Sequence, residues 1–427
     1  MTFLLHRFYR SVTTRGCGTR YSCRMKTLHA SPRSFRLLLA AAAGLLFAGS
    51  SSLAQEAAAE PAAPAAAVPV AAVPVAAEAE APRIQIALLL DDSGSMGGLL
   101  AQARTRLWDI VGDLGNANRD GQKPILEVAL YRHGGPVRQI VEFTQDLDDL
   151  SDKLFKTTIQ GNGSEHCGEA IQQSVDSLQW SEDPLDLKII VVAGNEPFTQ
   201  GPVNYVDACK AAMTKAIVVN TIHCGDWVTG MNQKWKDGAD MTQGAYANIN
   251  ANQAVVHVPA PVHDKQLVQL NADFNKTFIA FGKEGAALQL RQKVQDENAK
   301  NASAEVLANR VMCKGGAYYS NAKWDLVDAC NAKSIDLKTA KPEQLPENMR
   351  KMTVAEREAY VKGMQDKRAT LQKEIQKVTK DRREFVDKER KRIAAEAAKT
   401  GKKTEATLDL AIRKAVRNVG SERGFAF

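Results

Sequence analysis

The sequence predicts a doubly wound α/β sheet with one antiparallel edge strand, followed by a mostly α-helical C-terminal region with a candidate coiled coil. Three observations predict it. Residues 83–262 alternate short apolar, β-branched runs with stretches of helical periodicity. Residues 84–90, IQIALLL, break abruptly into Asp91-Asp92-Ser93-Gly94-Ser95, a strand ending in a polar turn. Beyond Pro261 the strand signals stop, and apolar residues recur at three- and four-residue steps among many charges.

The chain has 427 residues and a 44% apolar fraction, enough for two or three globular domains. Met25-Lys26 opens a basic stretch with Arg33 and Arg36, residues 37–48 form an apolar block, and Ser52-Leu53-Ala54 fits a small-residue cleavage site. Residues 1–54 therefore read as leader and cleaved signal peptide, with Met25 the expected start and a periplasmic or secreted product. The alternative is an uncleaved signal anchored in the inner membrane, for which the block is short against a span of about 20 residues. No cysteine closely follows it, which disfavours a lipid anchor. Residues 55–82 are almost entirely Ala, Pro, Val and Glu, an extended linker without core-forming residues.

Residues 1–54 hold 8 Lys+Arg and no acids, so the formal net charge of +7 becomes −1 without them. From Lys341 onward 23 Lys+Arg face 14 Asp+Glu, leaving residues 55–340 at −10. An acidic body with a basic tail can bind an anionic envelope surface, or the tail can fold back on its own body. Export and the scattered acids disfavour nucleic acid, and GxxxxGK[ST] is absent.

Within 83–262, Leu100, Arg104, Leu107, Ile110, Val111 and Leu114 mark a helix after the polar turn. Strands follow at 125–131 and 138–143, joined closely enough by Gly134-Gly135-Pro136 to be antiparallel. Helices at 146–156, 168–178 and 203–214 alternate with strands at 187–193 and 216–223, and a last strand is expected at 254–258. The helical region 263–340 reads as helices at 264–277, 284–312 and 321–332. The charged basic tail 341–427 holds a helix at 353–398, whose apolar seam of Val361, Met364, Leu371, Ile375, Val378 and Phe385 is interrupted by Arg368 and Arg382. That seam suits a weak coiled coil or a helical hairpin, with packing inside the chain favoured over a partner site.

Asp91, Ser93 and Ser95 alternate along a turn that Gly94 allows to close, an oxygen site for a hard cation. Mg²⁺ suits it best, with Mn²⁺ or Ca²⁺ as alternatives. Here the chain resembles a von Willebrand factor A domain, whose metal-ion-dependent adhesion site opens with this motif. The resemblance implies a central parallel sheet with helices on both faces and a site beyond the carboxyl ends of the strands. It also implies a second loop supplying Thr or Asp, which falls on residues 160–165. Ser164 is the preferred ligand there, with Glu165 a close competitor. The third-loop Asp falls on Gly194 in Val192-Ala193-Gly194-Asn195-Glu196-Pro197, so a carboxylate is lost. Asn195, Glu196 or Glu165 could substitute, and Asp92 is near. The alternative is a degenerate turn whose serines cap the next helix.

The stretches GSEHCG (163–168) and VNTIHCG (219–225) each present His-Cys-Gly near the top of the sheet. Cysteine–histidine catalysis and zinc binding are both conceivable. Adjacent residues, however, point apart along a strand, and an exported chain favours disulfides. Cys167 with Cys224 or Cys209, and Cys313 with Cys330, are the candidates. AGNEPFTQGPVNY, NTIHCGD and NKTFIAFGKEG are similar to stretches of exported bacterial A-domain proteins, a resemblance running from about residue 83 into the tail. It implies architecture and no defined reaction. The expected function is a non-catalytic envelope binding protein whose cation captures an acidic group of a protein partner. The alternative is a structural or scaffolding protein with a vestigial metal site, acting through its basic tail.

Overall fold

The computed structural model describes residues 80–160, 163–252, 258–316, 318–399 and 407–427. The expected leader and nearly all of the Ala/Pro linker lie outside the described residues. β1 (Arg83–Leu90) leads through a single 3₁₀ turn into α1 (Gly97–Leu114). β2 (Asn118–Arg119), β3 (Ile125–Arg132), β4 (Arg138–Thr144), α2 (Leu147–Lys156), α3 (Cys167–Ser177), β5 (Leu187–Gly194) and α4 (Tyr205–Thr214) follow. Then come β6 (Val218–His223), α5 (Trp227–Asn232), α6 (Trp235–Asp240) and β7 (Tyr246–Asn248).

The main sheet has the order β4-β3-β1-β5-β6-β7. Only the β3–β4 pairing is antiparallel, so β4 is the expected edge strand. β1 lies between β3 and β5 and is buried on both faces, which is why it reads as a continuous apolar run. Ile84, Ile86, Leu88 and Leu90 enter one core with α1; Ala87 and Leu89 enter the other with α3, α4 and Trp235. The expected strand at 254–258 falls largely outside the described residues; among those described, the last strand of the sheet is β7.

The helical half consists of α7 (Pro261–Asn275), α8 (Gly285–Ala302), α9 (Ala304–Lys314), α10 (Leu326–Asn331), α11 (Glu347–Arg350), α12 (Val354–Lys399), α13 (Leu408–Glu422) and a final β8 (Phe425–Ala426). The helix expected across 284–312 is two helices. Ser303 takes extended backbone (φ −174°, ψ 165°) and its hydroxyl caps α9 by accepting from Val306 N. These elements cover one face of the sheet. α13 packs on α1, β5 and β6, β8 pairs antiparallel with β2, and the described residues from Glu80 to Phe427 cluster as one unit.

α12 packs along α7, α9 and α10. Val361, Leu371 and Ile375 are buried there, whereas Phe385 is 40% exposed. The two arginines that interrupt the seam are themselves buried. Arg368 donates to Thr277, Asp325 and Asp328, and Arg382 to Asp264 and Asn309. Arg417 pairs with Asp113, and Arg423 donates to the carbonyls of Asp186 and Ala216. Much of the basic tail's charge is thus used within the molecule. No helix among the described residues is long and apolar enough to cross a membrane.

Candidate functional site

The carboxyl ends of β1, β3 and β5 converge on residues 91–96. Asp91 N donates to Ala193 O (2.9 Å), which holds the turn against the end of β5. The Asp91 carboxylate accepts from Ser93 N (2.7 Å) and Ser93 Oγ (2.8 Å), and Ser93 Oγ lies 3.5 Å from Ser95 Oγ. Ser95 Oγ in turn donates to Asn195 Oδ1 (2.9 Å) on the third loop. Asp91 and Ser93 are buried and Ser95 is exposed, so the oxygens run from the interior to the surface.

Asp92 braces the turn. Arg132 donates to it at 2.8 Å, Gly134 N at 3.1 Å, and its own carbonyl accepts from Gln160 N. Gly134 fits because it has no side chain: a Cβ there would stand 2.4 Å from Ser93 N and 2.6 Å from Asp91 Oδ1.

The second loop brings in Glu165, which is fully buried, with Ser164 half-buried beside it. Glu165 Oε1 accepts from Asn195 N (2.8 Å) and Glu196 N (2.9 Å), and its backbone N donates to Gln200 Oε1. A Cβ on Gly194 would lie 2.1 Å from Glu165 Oε2. The carboxylate absent from the third loop is therefore supplied from the second, in the volume that a side chain at 194 would need. Glu196 contributes its backbone, while its side chain accepts from Asn195 Nδ2 (3.2 Å). Burial, reinforced by neighbouring Asp91, pushes the Glu165 carboxyl up to about 9. Among the described residues no lysine or arginine is paired with either Asp91 or Glu165.

Two carboxyl groups in contact, two serine hydroxyls and an amide oxygen form a hard-oxygen donor set lacking a cationic partner. That chemistry fits a divalent cation, which Asp91, Ser93, Ser95 and Glu165 could hold. Asn195, a candidate from the sequence, enters as the acceptor for Ser95 Oγ, whereas the role of Gly134 was missed. A sequence signal for Gly134 existed, since His133-Gly134-Gly135 follows β3 at the same edge as the Asp-x-Ser-x-Ser turn.

The disulfide expectation is corrected: Cys167, Cys209, Cys224, Cys313 and Cys330 are all free thiols. Cys224 packs in the α1-side core, whereas Cys167 and Cys209 lie in the core on the other face. Cys209 Sγ is directed at Gly238 O (3.6 Å) and Cys313 Sγ at Trp108 O (3.1 Å). Cys330 packs with the α10 and α12 cluster, away from Cys313. Burial pushes the Cys209 and Cys313 thiols up to about 12, and raises those of Cys167 and Cys224 well above the usual value. His166 turns to Glu169 (2.8 Å) while Cys167 points inward, so the adjacent pair does not act together.

Residues 85–254 match the family model of the von Willebrand factor type A domain. Among solved structures the chain is similar to the conserved hypothetical protein BatB from Bacteroides thetaiotaomicron, at 18% identity over 39% of this chain and 90% of that one, TM-score 0.32. It is similar to the SpRpn10 VWA domain at 19% identity, over 39% of this chain and 88% of that one, TM-score 0.31. A third is proximal thread matrix protein 1 from the mussel byssus with zinc occupied MIDAS motif. Identity there is 12%, over 39% of this chain and 42% of that one, TM-score 0.31. No curated protein matches the chain.

Proposed function

We propose that this chain, whose residues 85–254 are a von Willebrand factor type A domain, is an exported, non-catalytic binding protein that captures an acidic group of a protein partner. Such domains often mediate protein–protein interaction through a metal site. The observation that carries the reading is Glu165 beside Asp91, which restores the carboxylate missing at Gly194. A divalent cation, Mg²⁺ by the hardness of the donors, supplies an open coordination position for a partner carboxylate. Asp91 and Glu165 offset its charge, Ser93 and Ser95 orient toward it, and Gly134 and Arg132 hold the turn in place. Trp227, 43% exposed and packed on Tyr246, stands with Val228 and Met231 just beyond β6 at the same edge of the sheet, and gives the partner an apolar contact. The signal-like residues 1–54 support a periplasmic or secreted location.

Buried thiols whose pKa values are raised by burial support a non-catalytic role. The scaffolding alternative loses support from a tail whose arginines are spent on internal carboxylates and carbonyls.

Thermal unfolding with EDTA and with Mg²⁺, Mn²⁺ or Ca²⁺ tests the site. An ion at about 100 times its dissociation constant adds roughly 2.7 kcal/mol, and Asp91→Ala and Ser93→Ala remove the gain. An unchanged transition with every ion would rule out the cation-dependent reading.

A further inference from the structure

Beneath the adhesion turn, on its interior side, three side chains meet from three different elements. His133 immediately follows β3, Glu165 comes from the second loop, and Cys167 opens α3. All three are fully buried, and one donor atom from each lies within 4.8 Å of the others. Cys167 Sγ stands 4.0 Å from Glu165 Oε2. The edge of a tetrahedron around a zinc ion with ordinary bond lengths is about 3.3–3.8 Å, so a small contraction closes the set.

The arrangement is held from behind. Glu165 Oε1 is fixed by the N–H groups of Asn195 and Glu196, which leaves Oε2 directed toward Cys167 and the space over Gly194. His166 N donates to His133 O (3.2 Å), tying the end of β3 to the start of α3. His133 Nε2 lies 3.3 Å from Leu89 O, whereas His133 Nδ1 is buried with no hydrogen-bond partner. Buried polar atoms of this kind are rare in folded proteins and call for an explanation.

We propose that His133, Glu165 and Cys167 form a second, three-residue metal site, selective for a softer cation of the zinc class. Imidazole and thiolate favour zinc over magnesium, whereas the hydroxyl-rich turn above favours the reverse. Glu165 serves both sites, so filling the deeper one competes with the hard cation above it. The histidine that partners Cys167 follows β3, 34 positions earlier, and neither His-Cys dipeptide of the sequence supplies the pair.

The test uses the full chain, stripped of metal and titrated with Co²⁺ as a spectroscopic probe. A near-ultraviolet thiolate-to-cobalt band with strong visible absorption is expected, lost on adding Zn²⁺ and retained in excess Mg²⁺. Cys167→Ser should abolish the near-ultraviolet band and Cys209→Ser should keep it. Ser95→Ala should remove stabilisation by Mg²⁺ and leave the cobalt spectrum intact, which separates failure of this site from failure of the adhesion site. If Cys167→Ser does not fold, thiol labelling of the wild-type chain decides: Zn²⁺ should slow modification of Cys167 and leave that of Cys209 unchanged. A cobalt complex without a sulfur band, or equal labelling of both thiols with and without Zn²⁺, overturns the proposal.

Discussion

Placing an aspartate back at residue 194 should damage the protein unless Glu165 is removed with it. The Cβ of Gly194→Asp would stand 2.1 Å from Glu165 Oε2 and 2.8 Å from Cδ, so the carboxylate must retreat by more than an ångström. It cannot do so freely, because Oε1 holds Asn195 N at 2.8 Å and Glu196 N at 2.9 Å. Overpacking costs about 1–3 kcal/mol, and each hydrogen bond lost from a buried group costs a further ~1–3 kcal/mol. Gly194→Asp alone should therefore lose about 4 kcal/mol or more. Glu165→Ala alone should lose a few kcal/mol, since two N–H groups are left without their acceptor. In the double variant the new aspartate occupies the vacated volume, and the two effects should couple by about 2–3 kcal/mol. Urea unfolding of the four proteins in EDTA measures the cycle, and repetition in Mg²⁺ asks whether the double variant regains the cation response lost in Glu165→Ala. Additivity within about 0.5 kcal/mol would refute the idea that one carboxylate replaces the other.

Gly134→Ala should lower stability by about 1–3 kcal/mol and weaken the Mg²⁺ response, because its Cβ meets backbone and both aspartates; an unshifted melting curve in EDTA and Mg²⁺ contradicts this. Acid sensitivity should come partly from Asp296. Burial alone would raise its carboxyl, but Lys314 and Arg310 hold it well below the usual range, so its contribution is complete above the unfolded pKa of about 3.9 and is lost as pH falls below it. Asp296→Asn should flatten that acidic limb in unfolding measured from pH 5 downward. Arg382→Ala should cost about 3–5 kcal/mol by stranding buried Asp264, read by thermal unfolding; a loss under ~1 kcal/mol would show that α12 is held by its apolar seam alone. Trp227→Ala should weaken partner binding, measured by titration in Mg²⁺, without altering stabilisation by the ion.

The central sheet was readable because β1 and β5 are apolar on both faces and end in polar turns, and because Gly134-Gly135-Pro136 is too short for a parallel crossover. The first metal loop was readable for the same reason: Asp91, Ser93 and Ser95 are local to one turn. Its completion was readable only as a shortlist: Glu165 stood beside Ser164, Asn195 and Glu196, and its reach to Gly194 across 29 positions is set by the fold. Counting cysteines suggested bridges, but each thiol packs in its own surroundings, and the fold set Cys167 against His133. Arg368 and Arg382 look like breaks in an apolar seam because periodicity cannot show a carboxylate waiting opposite. Ser303 hid the α8–α9 boundary, since serine is tolerated within helices and only its extended backbone reveals the cap.

β1 has a mechanical consequence. It runs from Arg83 straight to Leu90, one residue before Asp91, with eight register partners on β3 and seven on β5, all parallel. A load entering through a partner held at Asp91 and leaving through the chain before Arg83 runs along this strand's own axis. Both flanking ladders are then strained together in shear, not opened one pair after another as in peeling. The central position of the strand thus places the Asp91 turn at the end of a line braced on both sides, which would suit the proposed capture to a grip under tension.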